Sequence, residues 1–104
     1  MERALYLELA DRLESGQLVA VATVVRSWGS TPREVGAKML VDANGRIQGT
    51  IGGGCGEAEA WQVAREVLRG APAQVVHIDL TEDVDSDSGK VCGGRQDALV
   101  ELLG

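Results

Sequence analysis

The sequence predicts a small α+β domain with a mostly β core, a hairpin and two main helices packed on it. We expect residues 1–104 to form this single domain. Three observations support the class: an amphipathic N-terminal segment, several short runs rich in β-branched residues, and a second amphipathic segment in mid-chain. The chain is long enough for one hydrophobic core. Since phenylalanine is absent, Val, Leu, Ile and Ala must fill most of it.

The first segment, MERALYLELADRLESG, is typical of a helix. Leu5, Leu9 and Leu13 recur at i, i+4 and i+8 and form one apolar stripe. Ser15-Gly16 then ends the helix. This segment also lacks the basic start and the continuous apolar block of a signal peptide.

The next run, LVAVATVVR over residues 18–26, is nearly all apolar. Such a run predicts a central strand that is covered on both faces. Residues 27–36 are rich in Gly, Ser and Pro and predict a loop.

Residues 37–51 predict a hairpin whose register can be tested on the sequence. A two-residue Asn44-Gly45 turn would mix polar and apolar residues on one face. A three-residue loop over 43–45 instead gives an apolar face made of the pairs Val41–Ile47, Met39–Gly49 and Ala37–Ile51. We therefore expect the second register, with Gly45 in the left-handed conformation of a G1 bulge.

A second helix is expected from about Glu57 to Arg69. Its apolar face would consist of Ala60, Trp61, Ala64, Val67 and Leu68. Glu57 is unusual because it lies one turn before Trp61, on this apolar side. Residues 74–80 then predict a strand, 81–94 a polar loop, and 97–103 a last strand or short helix.

The formal net charge of −6 argues against a nucleic-acid partner, because phosphate contacts need a basic surface. It also argues against binding to an anionic membrane surface. No apolar stretch approaches the roughly 20 residues of a membrane span. We expect a cytoplasmic protein with no membrane partner.

The segment TIGGGCGEAEAW, residues 50–61, places glycines between a strand and a helix. Gly52, Gly53 and Gly54 would let backbone N–H groups and the positive end of the helix dipole face an anion. The segment lacks the lysine and Ser/Thr of a P-loop and does not match the spacing of GxGxxG. The alternative interpretation is a tight strand-to-helix turn.

Two cysteines lie among glycines, Cys55 in the segment above and Cys92 in GKVCGG. A thiol at a helix N-terminus has a lowered pKa, which favours a functional Cys55. The alternative is a buried small hydrophobe. Two such loops in one small domain suggest that both cysteines approach one pocket. A redox pair is a rival hypothesis, and it would need Cα atoms within about 7 Å.

Arg33, in GSTPREVG, is the best candidate for binding an anionic ligand if its loop faces the glycines. A solvated surface arginine is the alternative. His77 lies in mid-strand with apolar neighbours, which favours a core or half-buried histidine over a catalytic base. A Cys-His nucleophile stays open, although the sequence identifies no third group.

The segments GSTPREVGAKMLV, GTIGGGCGEAEAW and GKVCGG, in this order, resemble the N-terminal domain of the XdhC/CoxI family. The resemblance covers about residues 20–100. It implies a maturation factor for molybdenum hydroxylases such as xanthine dehydrogenase and carbon monoxide dehydrogenase. Such a factor binds the molybdenum cofactor (molybdopterin), protects it during sulfuration and delivers it to the apo-hydroxylase.

On this resemblance, Cys55 matches the cysteine that binds the cofactor and is a candidate molybdenum contact. Glu57 matches the acidic residue two positions later, and Cys92 with Gly93 matches the C-G-G segment. The glycines at 52–54 and Arg33 would complete the cofactor-binding set. A thiolate suits a soft or oxo-metal centre better than a hydroxyl does.

Long members of the family carry a C-terminal Rossmann domain, and no dinucleotide fingerprint occurs before Gly104. We therefore expect a stand-alone short form or a separate Rossmann-domain partner, and a homodimer is a further expectation. The main hypothesis is a binding and delivery factor that is not an enzyme. The alternatives are a thiol-dependent oxidoreductase or hydrolase using Cys55 with Cys92, and a non-catalytic partner subunit.

Overall fold

In a computed structural model of the chain, the described residues form a five-stranded antiparallel sheet with two helices. They are residues 3–29, 35–51, 54–79 and 94–103, without the side chains of 54–56 and 79. The elements are α1 (Arg3–Glu14), β1 (Val19–Trp28), β2 (Lys38–Asp42), β3 (Ile47–Gly49), α2 (Gly54–Leu68), β4 (Gln74–Asp79) and β5 (Arg95–Leu103). The strand order is β3-β2-β1-β5-β4. The predicted α+β class is confirmed.

The central strand is β1, which pairs with β2 on one side and β5 on the other. Its first four residues are buried, as the apolar run at 18–26 predicts. The strand is longer than predicted, because Ser27 and Trp28 pair with Gln96 and Arg95 of β5. These two residues therefore belong to β1 and not to the loop expected at 27–36.

The two helices cover opposite faces of the sheet. We call them the α2 face and the α1 face. Met39, Val41, Ala98 and Val100 pack with the apolar side of α2 in the larger cluster of buried side chains. The smaller cluster, on the α1 face, consists of Leu9, Val19, Val21 and Leu40, with Leu5, Leu13 and Leu103 packed against it.

The hairpin of β2 and β3 has the three-residue register, with Met39 opposite Gly49 and Val41 opposite Ile47. Gly45 has a φ of 82°, as the bulge requires. The face is less completely buried than the pattern suggests, because Ile47 is 42% exposed at the sheet edge. The predicted register is nevertheless confirmed.

A buried ion pair fixes α1 to the hairpin. The guanidinium Nη1 of Arg12 donates to Asp42 Oδ2 at 2.7 Å, and both side chains are nearly inaccessible to solvent. The other oxygen of Asp42 accepts the backbone N–H groups of Asn44 and Arg46, each at 2.9 Å. One carboxylate therefore shapes the turn and neutralises a buried cation.

Helix α2 begins at Gly54, three residues before the predicted start, and ends at Leu68. Its buried face contains Ala60, Ala64 and Val67, in agreement with the predicted pattern. Trp61 Nε1 donates to the carbonyl oxygen of Gly45 at 3.1 Å and attaches α2 to the hairpin turn. The last element is a strand, β5, because it pairs with both β1 and β4.

Candidate functional site

The three motif-bearing segments are GSTPREVG, TIGGGCG and GKVCGG. The strands and the helix that precede and follow them have their ends at one edge of the sheet. In the antiparallel sheet, β1, β3 and β4 end at this edge, whereas β2 and β5 begin there. The strand register shows this directly, since Trp28 and Asp79 both lie opposite Arg95. Helix α2 also begins after β3 at this end. We call it the motif edge.

The residues predicted to bind the cofactor divide into two groups. Outside the described residues lie Arg33, Gly52, Gly53, Cys92 and Gly93. Gly54 and Cys55 are the first two residues of α2, and Glu57 lies in the same first turn. The side chain of Cys55 is not described, so its contact with Cys92 or with a metal stays a prediction.

The position of Glu57 explains why an acidic residue occurs on the apolar side of α2. The hydroxyl of Thr50 donates to Glu57 Oε2 at 2.6 Å, and both residues are partly buried. Thr50 follows β3 directly, so the bond joins the chain before the glycines to the first turn of the helix. Sequence reasoning identified Glu57 but not Thr50, although both lie in the same quoted segment.

Gln96 is a second polar residue of the motif edge that the sequence analysis missed. It is 2% exposed and lies in β5 opposite Ser27 and Ile78. Its Nε2 donates to the carbonyl oxygen of Ile51 at 3.1 Å, whereas Oε1 has no hydrogen-bond partner among the described residues. Gln96 lies two residues before Ala98 and so on the same face of a strand as that apolar residue, which could have drawn attention to this position.

His77 contradicts the expectation of a core or half-buried histidine. Its neighbours Val76 and Ile78 point into the cluster under α2, so the imidazole points to the α1 face. Helix α1 leaves this part of the face open, and the His77 side chain is 79% exposed. The third group that the sequence did not reveal is Asp97, whose Oδ1 lies 2.8 Å from His77 Nδ1.

The His77–Asp97 pair belongs to an open cleft of about 600 Å³. Its lining includes Trp28, Ile78 and Arg95 together with the pair. The Asp97 carboxylate is nearly buried, and Arg26 Nε lies 3.8 Å from its Oδ2. Since α2 covers the other face, the sheet separates this histidine from the helix that begins with Gly54 and Cys55.

Neither a candidate metal centre nor a membrane-spanning helix occurs among the described residues. No group of three or more His, Cys, Asp or Glu side chains among them could hold a metal ion. No helix in the described part of the chain is long and apolar enough to cross a membrane.

Comparison with known proteins relates the chain to one protein family. Residues 12–79 match the model of the XdhC and CoxI family. The chain is also 33% identical over 100 residues to YqeB of Escherichia coli (strain K12), which is described as uncharacterized, covering 96% of this chain and 18% of YqeB. A crystal structure described as a xanthine dehydrogenase from Bacillus halodurans superposes with a TM-score of 0.77 at 30% identity, covering 94% of this chain and 30% of that one.

The described residues therefore define an α+β domain in which helix α2 begins with Gly54 and Cys55 at the motif edge. The chain belongs to the XdhC and CoxI family, because the family match covers more than half of its residues. It spans less than a third of the length of either relative.

Proposed function

We propose that this chain binds the molybdenum cofactor and takes part in the maturation of molybdenum hydroxylases of the xanthine dehydrogenase or carbon monoxide dehydrogenase type. Membership of the XdhC and CoxI family supports the general role. The cofactor is the cargo of such a protein, and the partner is an apo-hydroxylase. We propose a cytoplasmic binding and delivery factor that is not itself a catalyst.

One observation carries the proposal: the three motif-bearing segments are all bounded by the motif edge. The segments of Arg33, of Gly52 with Gly53, and of Cys92 are far apart in sequence. The segments of Arg33 and Cys92 each connect two strands at this end of the sheet, and the segment of Gly52 and Gly53 connects the end of β3 to the start of α2. A ligand large enough to touch all three would have to bind there.

The chemistry of this edge suits a ligand with an anionic end and a polar heterocycle. The first turn of the 15-residue α2 presents backbone N–H groups that have no acceptor within the helix. Such a helix N-terminus favours a phosphate, which molybdopterin carries. The unpartnered oxygen of Gln96 offers a buried acceptor at the same edge.

Within the proposal, Cys55 is the candidate contact of the molybdenum centre, and Glu57, Cys92 and Gly93 complete its surroundings. Bound cofactor would supply the oxo-transfer chemistry of the target hydroxylase. The chain's own residues would bind its phosphate, shield its metal centre and release it. The Thr50–Glu57 bond would hold the first turn of α2 in place for this purpose.

Both relatives are longer than this chain. We therefore propose that additional protein completes the maturation factor. A Rossmann-domain partner, a second copy of this chain, or both would cover the motif edge until the apo-hydroxylase binds. Copurification with a Rossmann-domain protein would support the first possibility, and a dimer in light scattering would support the second.

The test of the proposed function is equilibrium binding and transfer. Molybdenum cofactor released anaerobically from a hydroxylase would be titrated into the purified chain, and the loaded chain then mixed with apo-xanthine dehydrogenase. We expect saturable binding at one cofactor per chain and recovery of xanthine oxidation. The absence of saturable binding would contradict the proposal.

A thiol-dependent reaction of Cys55 with Cys92 is the remaining alternative. Its hydrolase form would need a base beside the thiol, and the one histidine of the chain lies across the sheet from α2, which begins with Gly54 and Cys55. Its redox form predicts a Cys55–Cys92 disulfide after mild oxidation. Thiol counting before and after oxidation distinguishes it from the binding model.

A further inference from the structure

The side-chain amide of Gln96 is fixed in one orientation. Its Nε2 donates to the Ile51 carbonyl oxygen at 3.1 Å, and exchanging the amide nitrogen and oxygen would bring two oxygens together. The orientation leaves Oε1 as an acceptor without a partner in the described part of the chain. This oxygen can therefore accept a hydrogen bond from a donor that the described residues do not supply.

The amide lies beside the chain that leads into α2. Ile51 is fully buried and immediately precedes the glycines, and α2 begins at Gly54. Gln96 itself is near the start of β5, on the α2 face, because the next residue but one, Ala98, packs in the cluster under α2. Gln96 Oε1 and the N-terminus of α2 therefore lie in the same part of the motif edge.

An unpartnered buried oxygen is costly, since a buried polar group without a hydrogen bond loses its solvation. The other buried polar side chains of the described chain, Arg12, Asp42 and Asp97, all have charged partners. Gln96 is thus the exception in this fold. The hydrogen bonding of such a group is completed by an ordered water, an ion or a ligand.

We propose that Gln96 Oε1 accepts a hydrogen bond from an N–H group of the heterocycle of the bound cofactor. This inference rests on the proposed function and adds the orientation of the bound cofactor. A carbonyl oxygen can only accept, whereas an ionised phosphate and a metal oxo group carry no proton to donate. The pterin ring system carries N–H groups. The heterocycle would therefore lie against Gln96 and the phosphate against the N–H groups of α2.

Gln96→Met tests the proposal, because methionine has a similar length but lacks the acceptor. Gln62→Met is the matched control, since Gln62 is exposed on α2. Anaerobic titration with molybdopterin should show about tenfold weaker binding for Gln96→Met and unchanged binding for Gln62→Met. The thermal midpoint of Gln96→Met should stay near that of the wild type, because one hydrogen bond and one unsatisfied oxygen are lost together.

A measurement on the wild-type protein keeps the test independent of how the variant folds. Molybdopterin should shift the ¹³Cδ resonance of Gln96 downfield, as expected for a carbonyl that gains a hydrogen bond. Equal affinity of Gln96→Met and wild type, or an unmoved ¹³Cδ resonance in the saturated wild type, would overturn the role of Gln96 and leave the proposed function intact. No molybdopterin binding by the wild type would overturn both.

Discussion

Thr50 donates its hydroxyl to Glu57 Oε2 across 2.6 Å, and this bond joins the end of the hairpin to the first turn of α2. The two residues are seven apart, on either side of the glycine-rich segment. The bond limits how far the start of α2 can move away from the sheet.

The Thr50–Glu57 bond predicts measurable coupling between the two positions. Thr50→Val and Glu57→Met should each lower the free energy of unfolding, and a double-mutant cycle should give a coupling energy of about 1 kcal/mol. Chemical denaturation of the four proteins measures it. As a control, Thr50→Val with Glu59→Met should be additive, because Glu59 is exposed on α2. Additivity for Thr50 and Glu57 would show that the bond does not contribute.

The surroundings of Gly49 predict that a single added methyl group lowers the stability of the protein strongly. Its φ is +79°, and a Cβ would lie 2.5 Å from the carbonyl oxygen of Lys38 and 2.9 Å from Leu5 Cδ2. Gly16→Ala is the matched control, because Gly16 has a φ of +77° with nothing within 4 Å. We expect Gly16→Ala to lose about 1 kcal/mol and Gly49→Ala about 3 kcal/mol or more. Equal thermal midpoints for the two variants would contradict the close contact.

The Arg12–Asp42 pair predicts a loss of stability in acid. Burial alone would raise the pKa of Asp42, but the backbone N–H groups of Arg46 and Asn44 and the guanidinium of Arg12 outweigh it, so the pKa is lowered. A lowered carboxyl pKa stabilises the fold above the unfolded value of about 3.9, and this contribution is lost as pH falls through the folded value.

Asp42→Asn tests this pH dependence. The variant should be less stable at pH 7 by about 2 kcal/mol, because the buried Arg12 loses the Asp42 carboxylate and keeps only the more exposed Glu8. Its free energy of unfolding should also fall less steeply than that of the wild type between pH 5 and pH 2, a range set by the carboxyl pKa of about 3.9 and its lowering. Urea titrations at several pH values give both quantities. Parallel pH profiles would show that Asp42 is not the titrating group.

The position of His77 predicts that this residue does not contribute to cofactor binding. Its imidazole lies on the α1 face with Asp97, whereas α2 covers the opposite face. His77→Gln should therefore retain the wild-type cofactor content after purification from a host that makes molybdopterin. A loss as large as that of a Cys55 variant would place the histidine in the cofactor site and contradict the separation by the sheet.

Much of the fold could be predicted from local sequence patterns. The apolar run at 18–26 identified the central strand, and the apolar pairs of the hairpin fixed its register because a shift would mix polar and apolar residues. Element ends were less predictable. Ser27 and Trp28 remain in β1 because β5 continues to pair with them, and that long-range contact leaves no local signal.

The site was only partly predictable for the same reason. Glycines, cysteines and Glu57 stand out in the sequence, whereas Thr50, Gln96 and Asp97 acquire their roles through partners elsewhere in the chain. The exposure of His77 was predicted wrongly, because its apolar neighbours in the strand point to the opposite face of the sheet and say nothing about the face on which the imidazole lies. Whether α1 reaches far enough to cover the imidazole depends on helix placement across the sheet.

The most direct test of the central claim is the cofactor content of the protein and of its Cys55→Ala variant. Both would be purified anaerobically from a host that makes molybdopterin, with molybdenum and oxidised pterin measured per chain. The account predicts near-stoichiometric pterin in the wild type and a large loss in Cys55→Ala at unchanged thermal stability. Absence of pterin and molybdenum from the wild type, or equal amounts in both proteins, would contradict it.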